Sequence, residues 1–231
     1  MINFNIEKEL KELDTFKSIK AKTFEEIRCC GQIREYRKGK NIFIDKEDVT
    51  TIYIVLSGKF SLYKLGNNGQ KRVVYILGKD RIINEVIIDD LPSSINCEVF
   101  ESGKLLLIEK NKLVSLMEED FNLTKNIIES LSKKVRRLYR QIKNTSPNIL
   151  IDKKLAAKLW KLSKDYGEKT DLGVEINLNL SKTYLADMFG SQRETISRTL
   201  KELEKKNLII VTNKRITILN SEKLIEFFKK S

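Results

Sequence analysis

Ser181-Lys182-Thr183-Tyr184-Leu185-Ala186-Asp187-Met188-Phe189-Gly190-Ser191-Gln192-Arg193-Glu194-Thr195-Ile196-Ser197-Arg198-Thr199-Leu200 is the stretch whose reading decides the fold. Ser181 can cap a short helix by accepting an orphan amide of the first turn, and Tyr184, Leu185 and Met188 form the inward face of that helix. Gly190 stands where the chain must turn sharply, and Ser191 can cap a second helix. Ile196, Leu200 and Leu203 recur at spacings of four and three, so they share the buried stripe of that second helix. Gln192, Arg193, Glu194, Ser197, Arg198 and Lys201 are left on the outward surface. Such side chains suit base edges and phosphates: arginine donates twice to guanine, a carboxylate accepts from the cytosine amino group, and serine serves either a base or the backbone. A helical hairpin buried in a core needs no outward face of this kind.

Downstream, Leu208 to Thr212 and Arg215 to Leu219 read as two strands joined by Asn213-Lys214, a compact wing. Asn207 holds the preceding turn, where asparagine is the residue after glycine best tolerated at positive φ. Ser181, Lys182 and Thr183 at the first helix start, with Lys214 and Arg215 at the wing, complete the candidate nucleic-acid contacts. Upstream, Ile151 to Tyr166 is an amphipathic helix, followed by a polar loop with Gly167 and Gly173 and a short strand from Val174 to Leu178.

Asn144-Thr145-Ser146-Pro147-Asn148 stops an earlier and longer helix, because proline cannot continue the hydrogen-bond ladder. That helix starts near Asn122, and Thr124, Ile128, Leu131, Val135, Leu138 and Ile142 lie along one stripe of it. Packing on its own domain is one reading. A seam between two protomers is the other, favoured because the stripe persists for about five turns with no neighbouring segment to cover it.

Between Ile33 and Glu109 the texture is short β-branched and aromatic runs broken by turn residues, as in an antiparallel sandwich or roll. Asn41 to Ile44, Thr51 to Leu56, Lys59 to Leu65, Lys71 to Leu77, Ile95 to Val99 and Lys104 to Glu109 suit strands. Ser57-Gly58, Gly66-Asn67-Asn68-Gly69, Gly78 and Ser102-Gly103 suit the turns between them, with Gly39, Gly58 and Gly78 expected at positive φ. The expected fold class is α+β: an N-terminal antiparallel β-roll, jelly-roll-like, over residues 1–121, a dimerisation helix and hinge over 122–146, and a winged helix-turn-helix over 147–231.

Composition bounds the function. Forty-four basic residues against 32 acidic ones leave a formal charge of +12, which attracts a polyanion and makes association salt-sensitive. The chain has no histidine, hence neither the usual general base nor the commonest metal ligand, and no catalytic residue is assigned. No apolar run approaches the roughly 20 residues of a membrane span, and the start lacks a secretory pattern, so a cytoplasmic location is expected. Cys29, Cys30 and Cys97 cannot all pair with one another, which is consistent with a reducing compartment.

Lys38-Gly39 with Ile42-Phe43, Ile54-Val55-Leu56-Ser57-Gly58-Lys59, Leu185 to Gly190 and Arg193 to Leu200 together resemble the Crp/Fnr family of bacterial transcription regulators over nearly the whole chain. The resemblance implies a homodimer paired along the long helix, recognition helices in successive major grooves of double-stranded DNA, a signal in the roll that repositions them, and contact with RNA polymerase. It implies that Glu194 and Arg198 are the principal base readers, with Ser197 assisting and Arg193 contacting a base or a phosphate. Glu194-Thr195-Ile196-Ser197-Arg198 is similar to the anaerobic-regulator branch, which implies a palindrome with a GA-containing, TTGA-like half-site.

The sequence departs from the family at its ligand sites. Cyclic-nucleotide binders have a Gly-Glu-Leu segment and, further on, an arginine followed by serine or threonine that holds the phosphate. Here the segments are Asn84-Glu85-Val86 and Leu91-Pro92-Ser93-Ser94-Ile95-Asn96, so Glu85 survives without the arginine and cyclic AMP is disfavoured. Glu85 is expected to be a structural hydrogen-bonding residue; if a pocket exists, Glu85, Ser93, Ser94 and Leu131 are its candidate lining. The oxygen-sensing branch holds an iron–sulfur centre on four cysteines; this chain is one short, and strand-like Cys29 and Cys30 would diverge. No metal ligand set is assigned. An apolar small-molecule effector, thiol redox chemistry and no ligand at all remain open. A regulatory cyclic-nucleotide module for an attached enzyme or channel is disfavoured by the missing arginine and by the winged helix.

Overall fold

The computed structural model describes residues 7, 10–66, 69–144 and 150–229, and of residues 141–144 the backbone alone. They fall into two compact units, Met1–Leu138 and Tyr139–Ser231. In chain order the first contains α1 (Ala21–Cys30), β1 (Gln32–Tyr36), β2 (Asn41–Phe43), β3 (Thr51–Val55), β4 (Lys59–Leu65), β5 (Lys71–Leu77), a 3₁₀ turn (Glu85–Asp89), β6 (Asn96–Glu101), β7 (Gly103–Glu109) and α2 (Lys110–Glu119). A long helix, α3 (Phe121–Asn144), follows.

Leu105, Leu106, Leu107 and Ile108 are all buried, and a strand that buries successive residues must be covered on both faces. They lie in β7, the central strand of an antiparallel sheet ordered β1-β7-β3. Leu105 and Leu107 share a core with Phe43, Phe60, Leu62, Tyr75 and Val99 of a second antiparallel sheet, ordered β2-β6-β4-β5. Leu106 and Ile108 pack instead with Phe24 and Ile27 of α1, Leu113 and Leu116 of α2, and Leu123 and Ile127 of α3. The result is the antiparallel roll, with its interior filled by apolar side chains and one sheet backed by helices. At one corner Gly58, at φ +76°, and Gly103 meet backbone to backbone; a Cβ on Gly58 would stand 2.5 Å from the Ser102 carbonyl oxygen.

The second unit contains α4 (Ile151–Tyr166), β8 (Gly167–Thr170), β9 (Gly173–Ile176), α5 (Lys182–Phe189), α6 (Arg193–Lys205), β10 (Ile209–Thr212), β11 (Arg215–Ile218) and α7 (Ser221–Lys229). Its antiparallel sheet runs β10-β11-β9-β8. Leu155, Leu159, Ile176, Leu185, Ile196, Leu200, Leu203, Ile216 and Leu224 are buried in it.

Several local expectations change. The stretch expected as a polar loop contains β8, which pairs with β9 while all four of its residues remain exposed. Gly78 is not at positive φ; Asp80, two residues on, takes that conformation at 62°. Cys29 and Cys30 end a helix rather than sit in a strand, because the Phe24 and Ile27 face of that segment packs into the core. The expected stop at 145–148 and the turn residues Asn67 and Asn68 lie outside the described residues; α3 reaches Asn144. Among the described residues no helix is long and apolar enough to cross a membrane.

Candidate nucleic-acid interface

Ser181 caps α5, its Oγ accepting from the Tyr184 amide at 3.0 Å. Gly190 ends the helix at φ +58°, the left-handed conformation that lets α5 and α6 cross after a short turn. The expected cap Ser191 does not serve α6: the capping position is Gln192, in extended backbone with no side-chain cap, so the helix begins one residue later. Ile196, Leu200 and Leu203 are buried as their spacing requires, joined by Thr199, whose hydroxyl donates to the Thr195 carbonyl at 2.9 Å.

The opposite face of α6 is open. Gln192, Arg193, Glu194, Arg198 and Lys201 are exposed and Ser197 is half-buried. Among the described residues no hydrogen bond or ion pair engages the side chains of Arg193, Glu194, Arg198 or Lys201, so their donors and acceptors are available to an external partner. Thr183 is exposed, and Lys182 is half-buried with its ammonium 3.2 Å from Ser197 Oγ. Lys214 is exposed in the wing turn, where Asn213 holds φ at 57°. Arg215 differs from the others, because its guanidinium donates to the Asn177 side chain within the unit. Asn207 has φ 53°, as read from the sequence, and Glu204 Oε1 accepts from the Val211 amide at 2.9 Å, tying the end of α6 to the wing.

On α3, Ile128, Val135 and Leu138 are 54%, 40% and 39% exposed, while Thr124 and Leu131 are half-buried; the Ile142 side chain lies outside the described residues. A different face of the same helix grips the roll. Glu85 is completely buried, accepting from Ser130 Oγ at 2.7 Å and pairing with the Lys134 ammonium, which also donates to the Ile83 carbonyl at 3.0 Å. Burial drives the Lys134 ammonium below the usual lysine range, against the pull of the Glu85 carboxylate. The Tyr75 hydroxyl donates to the Lys134 carbonyl at 2.7 Å, and the Arg137 guanidinium lies 5.0 Å from the Tyr75 ring centre. Sequence reading had singled out Glu85 but not Lys134, for nothing in a lysine among many basic neighbours signals that it turns inward.

The other pocket candidates are dispersed. Ser93 is buried and donates to the Ile95 carbonyl at 2.8 Å, whereas Ser94 is exposed and its carbonyl accepts from Lys64. A cavity of about 260 Å³ opens instead beside Asp14, Asp80, Arg81, Asn126 and Lys133, and Glu85, Ser93, Ser94 and Leu131 do not line it. Cys29, Cys30 and Cys97 are free thiols; burial raises Cys97 far above the usual cysteine range, and among the described residues no cluster could hold a metal ion.

Comparison with known proteins matches both units. The Crp-like helix-turn-helix domain family matches residues 153–227, and the cyclic nucleotide-binding domain family matches residues 33–120. The anaerobic regulatory protein of Bacillus subtilis is 27% identical over 206 residues, 87% of this chain and 85% of that protein. The global nitrogen regulator of Synechococcus elongatus is 24% identical over 200 residues, 85% of this chain and 90% of that protein. FixK2 from Bradyrhizobium japonicum has the same fold, with a TM-score of 0.75 at 16% identity, covering 85% of this chain and 96% of that one. A roll of the cyclic nucleotide-binding type followed by a Crp-like DNA-binding domain, shared with regulators along most of their length, places this chain in the Crp/Fnr family of transcription regulators.

Proposed function

We propose that the chain acts in the cytoplasm as a homodimeric regulator of transcription, binding a palindrome with a GA-containing, TTGA-like half-site under the control of a signal in the roll other than cyclic AMP. The observation that carries this reading is the outward face of α6, where Glu194 and Arg198 stand exposed with no partner among the described residues, over a buried Ile196 and Leu200. Arg198 suits a guanine through O6 and N7, Glu194 suits a cytosine amino group, and Ser197 and Arg193 assist. The roll of residues 1–121 is the sensor, 122–146 the dimerisation helix and hinge, and 147–231 the DNA-binding domain.

Two observations support the dimer and the signal. The Ile128, Val135 and Leu138 stripe leaves apolar surface exposed at the spacing of a helix pair. In the roll, both carboxylate oxygens of Glu85 are already engaged, by Ser130 and by Lys134, so a sugar hydroxyl would compete there with partners that the fold itself supplies. Contact with RNA polymerase follows from family membership.

Selection from random duplex DNA with purified, ligand-free protein at near-physiological salt tests the reading. A two-fold symmetric site containing GA in each half is expected. Unenriched, salt-labile sequence alone, obtained also with reduced, oxidised and metabolite-supplemented protein, contradicts it.

A further inference from the structure

A hydroxyl within a helix can turn back on the carbonyl one turn earlier, as the Thr199 hydroxyl does to Thr195 in α6 at 2.9 Å. Ser197 behaves differently. Its Oγ lies 3.2 Å from the ammonium of Lys182, which reaches across from the first turn of α5. An ammonium has donors and no acceptor, so the hydroxyl must be the acceptor in this contact. Among the described residues its own proton meets no acceptor, so it is available to a partner on the face that also carries Glu194, Arg198 and Lys201.

The position of Lys182 is not accounted for by helix stability. A cation in the first turn opposes the positive end of the helix dipole, and among the described residues no carboxylate pairs with it. Yet the side chain is half-buried and directed at a single hydroxyl.

We infer that Lys182 is a positioning residue for base recognition, holding Ser197 as a hydrogen-bond donor and so selecting a base that offers an acceptor in the major groove: thymine O4, guanine O6 or a purine N7. The ammonium adds a second discrimination of the same sign. Its positive charge favours these acceptor edges over the amino hydrogens of cytosine N4 and adenine N6. The inference rests on the assignment of α6 as the reading helix, and it assigns Lys182 a role in sequence choice beyond attraction to phosphate.

The test is parallel selection from random duplex DNA with the full-length wild type, Lys182→Met, Lys182→Ala, Lys182→Arg and Ser197→Ala, together with the salt dependence of binding to the selected site. Ser197→Ala identifies the half-site position under Ser197. Both neutral Lys182 variants are expected to lose about five-fold of the preference at that same position, the size of one modest hydrogen bond. Lys182→Arg is expected to retain it, and the Lys182→Met, Ser197→Ala double variant to match Ser197→Ala alone. A purely phosphate-binding lysine gives another pattern: affinity falls equally for all sequences, the salt slope drops by about one per protomer, and the base preference stays unchanged. That pattern overturns the inference. Failure of the wild type to select any symmetric site overturns the assignment of α6 itself, and is separated from the former because it appears before any variant is compared.

Discussion

The buried carboxylate of Glu85 and the ammonium of Lys134, 49 residues apart in sequence, form an ion pair that fastens the long helix α3 to the roll. A charge held in a dry interior depends on its partner far more than an exposed one does. Lys134→Met strands the Glu85 carboxylate beside apolar neighbours, and is expected to lower stability by about 3–5 kcal/mol. The Glu85→Gln, Lys134→Met double variant removes both charges and is expected to recover most of that loss. Thermal or urea denaturation of the wild type and these two variants measures the difference; a double variant no more stable than Lys134→Met contradicts the pairing.

Asp120 provides a prediction with a defined pH sign. Burial raises its carboxyl, but hydrogen bonds from the Lys20 amide at 2.6 Å, from Thr23, and from the Asn122 and Leu123 amides outweigh it and bring Asp120 below the usual value of 3.8. The folded state thus favours the charged form. Its contribution is fully present above the unfolded value near 3.8 and is lost as pH falls from there through the lower folded value. Asp120→Asn keeps an oxygen for capping but removes the charge, and is expected to cost about 1 kcal/mol at pH 7 by turning charge-assisted hydrogen bonds into neutral ones. The gap between variant and wild-type melting temperatures should close as pH is taken below that range. A gap that is constant from neutral to acid pH rules out the charge-dependent part.

How much of this could be read from the chain alone depended on how local the signal was. The helix-turn-helix was legible because its information lies in consecutive residues: Ser181 as cap, Gly190 at the turn, Ile196, Leu200 and Leu203 at helical spacing, Asn207 at positive φ. Strand β1 was missed because none of its five residues is buried, so no alternation of apolar residues marks it. The same holds for β8. Helix α1 was missed for a different reason: its apolar face is short, with Phe24 and Ile27 buried and Cys30 packed at the edge of the core, too few positions to mark a helical period. The partnership of Glu85 with Lys134 was invisible because it is created by tertiary folding, with Lys134 one of several basic residues on α3 and its side chain only 15% exposed.

The exposed stripe of α3 predicts the assembly state. Ile128, Val135 and Leu138 leave apolar surface in water on one chain; they are already about half covered, so burying the remainder against a second copy stabilises the pair by about 1 kcal/mol for each side chain. Val135→Asp is expected to convert a dimer into a monomer in sedimentation equilibrium while leaving the circular dichroism unchanged, since the side chain does not belong to either core cluster of the roll. Binding to a palindrome should fall steeply, with half-site affinity preserved. A Val135→Asp protein that remains dimeric at low concentration contradicts the seam.

Arg198 and Lys201 sit on the same exposed face of α6, yet their substitution should have different consequences. Arginine's planar fork can address guanine O6 and N7 together, so Arg198→Ala is expected to lose about 1–3 kcal/mol per half-site against the selected sequence and almost nothing against random DNA. Lysine is a point charge suited to phosphate. Lys201→Ala is therefore expected to weaken specific and random DNA alike and to reduce the salt slope by about one per protomer. Titrating both variants against specific and scrambled duplexes at several salt concentrations separates the roles. If Arg198→Ala lowers both affinities equally, the base-reading role passes from Arg198 to another residue of the face, and Arg193, one helical turn and a residue earlier, is the next to replace.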